Sequence, residues 1–236
     1  MTTPVIMDAI VVIILVVAVF LGAKRGLLQS LAGLVIVFMA LVGAGIAAGT
    51  FTEPVTQAVA PLIEERVAEK VESTIEERAG EADWELFEGS DADLGQIRTL
   101  LELVGLDEEV RESMAERVET SVRDTGMTIA AAVVESIVRT LVHGILFVLA
   151  FLLILLLLKV LEGAMGLVLK LPGLRGLNAL GGAAVGLIEG ALLLFLAVWV
   201  ARRLGVSFET APLTEAHILQ IFTTNTPLSV LSFLNR

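Results

Sequence analysis

The chain has no cysteine, which excludes disulfides, thiolate catalysis and cysteine-based metal sites. Histidine is nearly as scarce, and His143 and His217 stand too far apart in sequence to suggest a metal site without further ligands. No G-x-S-x-G, H-E-x-x-H or P-loop sequence occurs, nor do paired aspartates in the glycine settings that intramembrane proteases use. These gaps together read as a non-catalytic chain with no cofactor. Positive charge is missing ahead of the first apolar run and no small-residue cleavage site follows it, so that run is expected to stay attached rather than serve as a signal peptide. What the chain has in excess is apolar surface. Of its 236 residues 56% are hydrophobic, and the mean hydropathy of +0.87 lies far outside the range of soluble domains. The expected class is an all-α polytopic membrane protein.

Four stretches qualify as spans. Val5 to Leu21 is 17 residues broken only by Asp8, at the short end for a hydrocarbon core of about 30 Å. Lys24-Arg25-Gly26 is the whole connection to the second run, Leu27 to Gly49, so the two are expected as a tight antiparallel hairpin. A third span covers about Leu141 to Leu158 and a fourth Asn178 to Ala201. The resulting division is a first hairpin (1–49), an insert (50–140), a second hairpin with its inner loop (141–203) and an interfacial tail (204–236). Lys24, Arg25, Lys159, Lys170 and Arg175 on the two short connections place these in the cytoplasm, with both termini and the insert outside. Arg139, Arg202 and Arg203 oppose that count.

Charge is concentrated in the insert. Residues 50–140 hold 22 Asp/Glu against 8 Lys/Arg, a net −14, while the rest of the chain is +3. So acidic a segment repels nucleic acid, which is not expected as a partner. Val55, Val59, Leu62, Val67, Val71 and Ile75 recur at near-helical spacing, as do Val110, Met114, Val118 and Val122, with Asp107 suited to capping the second helix. Amphipathic helices joined through Gly89 to Gly95 are predicted, forming a small outer domain or a protein-binding surface. Glu135 and Arg139, four residues apart, suit a surface ion pair. Pro172 and Gly173 are expected to turn a surface-lying inner connection into the last span, and the tail has a candidate helix start at Thr214.

The fourth span carries the most information. Gly182, Gly186 and Gly190 recur every four residues, and Asn178, Gly182, Gly186 and Glu189 share a sector of roughly 80°. Small residues admit another helix closely, and a mid-depth acid is too costly to leave facing acyl chains. Glu189 is either protonated and hydrogen-bonded or lines a water-filled path, with only Lys24 or Lys159 able to reach it by snorkelling. Asp8 and His143 lie at similar depth and could pair, or Asp8 simply caps its helix start while His143 is wetted at the interface. Arg25-Gly26-Leu27 before the second span is echoed by Arg175-Gly176-Leu177 before the fourth.

Asp8 at the head of the first span, Arg25-Gly26 in the tight turn and Arg175-Gly176-Leu177-Asn178 leading into Gly182, Gly186 and Gly190 resemble the colicin V production protein family, the CvpA-like membrane proteins. The insert and tail resemble the family's longer forms, whereas Glu189 departs from its pattern, in which a basic residue is frequent at that position. The resemblance implies a bacterial inner-membrane protein linked to bacteriocin (toxin) production or export and to envelope homeostasis. On that reading the chain is an accessory or assembly component. Its partners would be the lipid bilayer, further copies of itself or other membrane proteins. The alternative is a small oligomeric channel or transporter, with Glu189 and the glycine face lining the path.

Overall fold

A backbone crossing lipid must satisfy its own hydrogen bonds, and the long apolar runs do so as helices. The computed structural model describes residues 3–79, 94–104, 106, 108–126, 128–164, 175–206, 208 and 216–224. Among these, every regular element is an α-helix: α1 (Thr3–Arg25), α2 (Leu27–Ala79), α3 (Leu94–Val104), α4 (Glu108–Thr125), α5 (Ile129–Ala164), α6 (Arg175–Arg203) and α7 (His217–Thr224). Helices α1, α2, α5 and α6 are each long and apolar enough to cross a membrane. The fold is that of an all-α polytopic membrane protein. On α1 alone Ile10, Ile13, Val16, Val17 and Phe20 face outward, a continuous apolar surface that water would not tolerate and acyl chains do. Asp107, the stretch from Gly89 to Asp93, Lys170, Pro172, Gly173 and Thr214 lie outside the described residues.

Two helices overrun the hydrocarbon. About 20 residues suffice for a span, whereas α2 has 53 and α5 has 36. The second span therefore does not end its helix at Gly49, and the apolar run and the amphipathic run after it form one element. Pro54 and Pro61 sit inside that helix, where neither can donate to the carbonyls of Thr50 and Gln57. Both follow the outward-facing apolar series from Leu31 to Phe51. The Gln57 carbonyl lies beyond that series, where water can reach it.

The described chain divides into two compact units, one of Met1–Ile46, Val148–Val200 and Phe208–Arg236, the other of Ala47–Phe147 and Ala201–Ser207. The core of the second is built by periodicity. Ile97, Leu100 and Leu101 of α3 meet Val110, Met114, Val118 and Val122 of α4, the stripe expected from spacing, and Ile129, Val133 and Val138 of α5 complete it. From α2 come Val55, Ile63, Val67 and Val71. Leu62, expected among them, is 75% exposed, because the face fixed by Val67 and Val71 continues backward by four residues to Ile63. Gly126, at φ +67, lets the amide after α4 close on the Val122 carbonyl at 2.9 Å. Thr128 then starts α5 as its cap, the Ala131 amide donating to Thr128 Oγ1 at 3.3 Å.

The first unit has its own smaller apolar cluster, in which Val11 of α1, Leu194 and Val198 of α6, and Leu219 and Phe222 of α7 pack together. The Phe195 and Phe222 rings lie 4.9 Å apart at a tilt of 57°. Leu101 is fully buried, so Leu101→Ala is expected to destabilise the second unit by about 2.7–5 kcal/mol. Leu62→Ala should change stability by less than about 0.5 kcal/mol. Unfolding of the purified full chain followed by circular dichroism distinguishes the two.

Candidate functional site

The site starts from what glycine omits. In the first unit α1 and α6 run antiparallel with Ala18, Gly22 and Gly26 on one side and Gly190, Gly186 and Gly182 on the other. A Cβ on Gly182 would stand 2.8 Å from the Gly26 carbonyl carbon and against the Gly22 carbonyl oxygen. One on Gly186 would stand 3.0 Å from the Gly22 Cα and against the Ala18 carbonyl oxygen. The contact is therefore backbone on backbone, with no side chain between. Of the two strips, sequence reasoning singled out only the one on α6. Ala18-x₃-Gly22-x₃-Gly26 carries the same four-residue signal and was legible in the same way.

The first hairpin turns on a single residue. Gly26 alone separates α1 from α2 and takes φ +85, its amide donating to the Gly22 carbonyl at 2.9 Å. Asn178 holds the turn from α6: its Oδ1 accepts from the Leu27 amide at 2.9 Å, satisfying a donor at the start of α2 that its own helix cannot. Buried Ser30 donates its hydroxyl to the Gly22 carbonyl at 3.2 Å. Gly176, by contrast, is a helical residue of α6, so the sequence echo between Gly26 and Gly176 is not an echo of backbone conformation.

Glu189 sits beside this seam. Its carboxylate and the Lys159 ammonium both reach the space over Gly33, 3.5 and 3.6 Å from where a Cβ on that glycine would be. Arg25 comes within 3.8 Å of Glu189, and Lys159 donates to Glu162 at 3.0 Å. Both carboxylates are mostly covered, with side chains 14% exposed. Two acids and two cations therefore gather from α1, α5 and α6 over a gap in α2. A lone charge at the centre of a span costs about 2.5–3.5 kcal/mol on insertion scales, and grouping opposite signs offsets that. Lys159 was anticipated from the sequence, whereas the second cation is Arg25 and not Lys24. The side chain of Arg175 is not among those described.

At the other end of α1, Asp8 accepts from the amides of Ile218 and Leu219 at 2.9 and 3.0 Å. It caps a helix, but the helix is α7 of the tail rather than its own. His143 Nδ1 lies 2.9 Å from Thr52 Oγ1 in the second unit. Asp8 and His143, which could have paired, thus each take another partner. Arg139 likewise takes Glu53 of α2 at 2.8 Å and not Glu135.

Residues 121–227 match the family model described as Colicin V production protein. Over that stretch the chain is similar to the colicin V production family. No curated protein and no solved structure matches the chain. The matched stretch takes in the end of α4 and all of α5, α6 and α7, and with them Asn178, Gly182, Gly186, Glu189 and Gly190. Asp8, Arg25 and Gly26 precede it, yet each is in contact with a residue inside it.

Because Gly186 faces backbone, Gly186→Leu is expected to cost about 3 kcal/mol or more, at or above the upper end of ordinary overpacking. Gly45, with nothing near its Cβ position, is the control, and Gly45→Leu should leave the unfolding temperature in detergent unchanged. Equal effects of the two substitutions would remove the seam from the account.

Proposed function

We propose that this multi-pass protein of the colicin V production family is a non-enzymatic accessory or assembly component of the bacterial inner membrane, acting in toxin (bacteriocin) production or export and in envelope homeostasis. The observation that carries this reading is the backbone contact of Gly22 and Gly26 with Gly182 and Gly186. The glycine face is occupied by packing, and a face so occupied is a joint rather than the wall of a path. The Glu189 cluster supports the same reading, because a carboxylate with Arg25 and Lys159 at hand has the partners a structural charge requires.

The orientation goes with it: both termini and the acidic insert lie outside, the short connections inside. The insert, net −14, is the surface offered to protein partners, among them further copies of the chain. A reporter fused after Arg236 should then be active outside and one inserted after Lys170 inside, and the reverse pattern would overturn the orientation.

One observation favours a second reading. Four ionisable groups, Arg25, Lys159, Glu162 and Glu189, gather within the spans, and such groups also mark ion and proton routes. In a small oligomeric channel they would line the path. Proteoliposomes holding the wild-type chain and Glu189→Gln separate the two. The accessory reading expects no ion or proton flux from either, with toxin export retained in cells carrying the variant. Flux that Glu189→Gln alters would replace it with the channel.

A further inference from the structure

The second unit gathers most of the described buried polar side chains in one place. Among the described residues five uncharged polar side chains are buried, and four of them, Thr52, Thr56, Ser136 and Thr140, lie on neighbouring stretches of α2 and α5. The bonds Thr52 to His143 and Glu53 to Arg139 bring those stretches together. Thr52 returns its hydroxyl to the Ala48 carbonyl at 2.6 Å, the usual arrangement for a helical threonine. The hydroxyls of Thr56, Ser136 and Thr140 have no hydrogen-bond partner, an uncommon state for buried donors.

Guanidinium groups surround this layer. Arg117 of α4, Arg139 of α5 and Arg203 at the end of α6 are near enough for the last two to act on the first. Burial, and then the like charges of Arg203 and Arg139, hold Arg117 below the ordinary guanidinium value. Arg117 Nε donates to the Ser113 carbonyl at 3.0 Å, which leaves its two terminal nitrogens. With Glu53 and Glu135 counted, the neighbourhood holds three cations to two acids, inside a segment that is otherwise strongly acidic. Between α4 and α5 a cavity of about 400 Å³ is lined by Arg117, Thr120, Ser121, Glu135, Ser136 and Arg139. Thr120 already donates to Glu116. Ser136, 6% exposed, lines the cavity with its donor unused.

We propose that this cavity binds a phosphate group, held by Arg117 and Arg139 and by the Ser136 hydroxyl. Guanidinium forks match the oxygens of a phosphate, and a buried hydroxyl adds a directed donor. The depth fits as well. On α5 the outward-facing apolar residues begin at Ile145, so Arg139 stands about 9 Å of helix rise beyond them. That is the level of phospholipid headgroups, where a phosphodiester is always at hand, and a phosphate ester free in solution reaches the same cavity.

The test uses the full chain in a non-ionic detergent, with thermal unfolding followed against sodium phosphate and, separately, against monomeric dihexanoyl phosphatidylglycerol, sodium chloride serving as the ionic-strength control. Saturable stabilisation by phosphatidylglycerol alone assigns the site to a lipid headgroup, and stabilisation by inorganic phosphate as well assigns it to the phosphate group itself. Either is the expected result. Arg117→Gln should weaken binding about tenfold or more, Arg117→Lys less, and Ser136→Ala several-fold. Ser136→Ala removes one oxygen from a packed helix and decides the matter if Arg117→Gln fails to fold. The proposal is overturned if neither compound stabilises saturably, or if Ser136→Ala and the folded arginine variants bind as the wild type does.

Discussion

In lipid the hydrophobic effect gives two helices no reason to meet, and what remains is the contact their backbones can make. Everything in the first unit follows from α1 and α6 making that contact without a side chain between them. Gly22 and Gly26 against Gly182 and Gly186 bring the end of α1 close enough for Asn178 to reach past it to the Leu27 amide. Were a methyl group interposed, that amide would lose its acceptor at a point where α2 has none of its own. The tight turn, the capped helix start and the buried Ser30 hydroxyl on the Gly22 carbonyl are thus one arrangement rather than three. The positive φ of Gly26 is its geometric condition.

The same closeness explains where the charges go. Glu189 lies seven residues past Gly182, two turns further along α6, and at that level α2 presents Gly33 instead of a side chain. The gap leaves room for a carboxylate and an ammonium together. Arg25 completes the neutralisation from the hairpin turn, its long stem allowing the charge to travel well away from its own backbone. Asp8 plays the corresponding part at the other end of α1. There the carboxylate meets free amides of α7, and Leu219 and Phe222 bury against Val11 and Leu194 on the apolar side of the same helix. A tail segment too short to be stable alone is fixed at its polar end by one acid and along its length by rings and aliphatic groups.

Spans and stripes were legible in the sequence because they depend on period and length, which one chain displays by itself. The four apolar runs, the α4 stripe of Val110, Met114, Val118 and Val122, and the glycine ladder of α6 are all of this kind. What could not be read were choices between partners. Asp8 and Arg139 each had a local explanation, a helix start and a carboxylate four residues away, and each takes a partner from another helix. Lys24 and Arg25 were equivalent as charges until the direction of the turn put Arg25 on the side of Glu189. Leu62 and Ile63 are neighbours of equal hydrophobicity, and only the register of α2 against α3 and α4 decides which is covered. The continuation of α2 past its apolar run was not legible either. Pro54 and Pro61 sit inside the helix beyond the apolar belt, where the Gln57 carbonyl has water to turn to.

Spacing by itself is not the seam, and α2 supplies the control within the same chain. Gly45 and Gly49 are four apart in an apolar helix, as Gly182 and Gly186 are, yet nothing lies within 4 Å of a Cβ on either. Ala40, Ala44 and Ala48, with the same interval on the same helix, are fully buried. A ladder of small residues permits close approach, but the approach happens only where a second ladder stands in register to receive it. Ala18, Gly22 and Gly26 are that second ladder for α6. The joint is therefore a property of two strips of sequence about 160 residues apart, and a substitution in either strip acts on both.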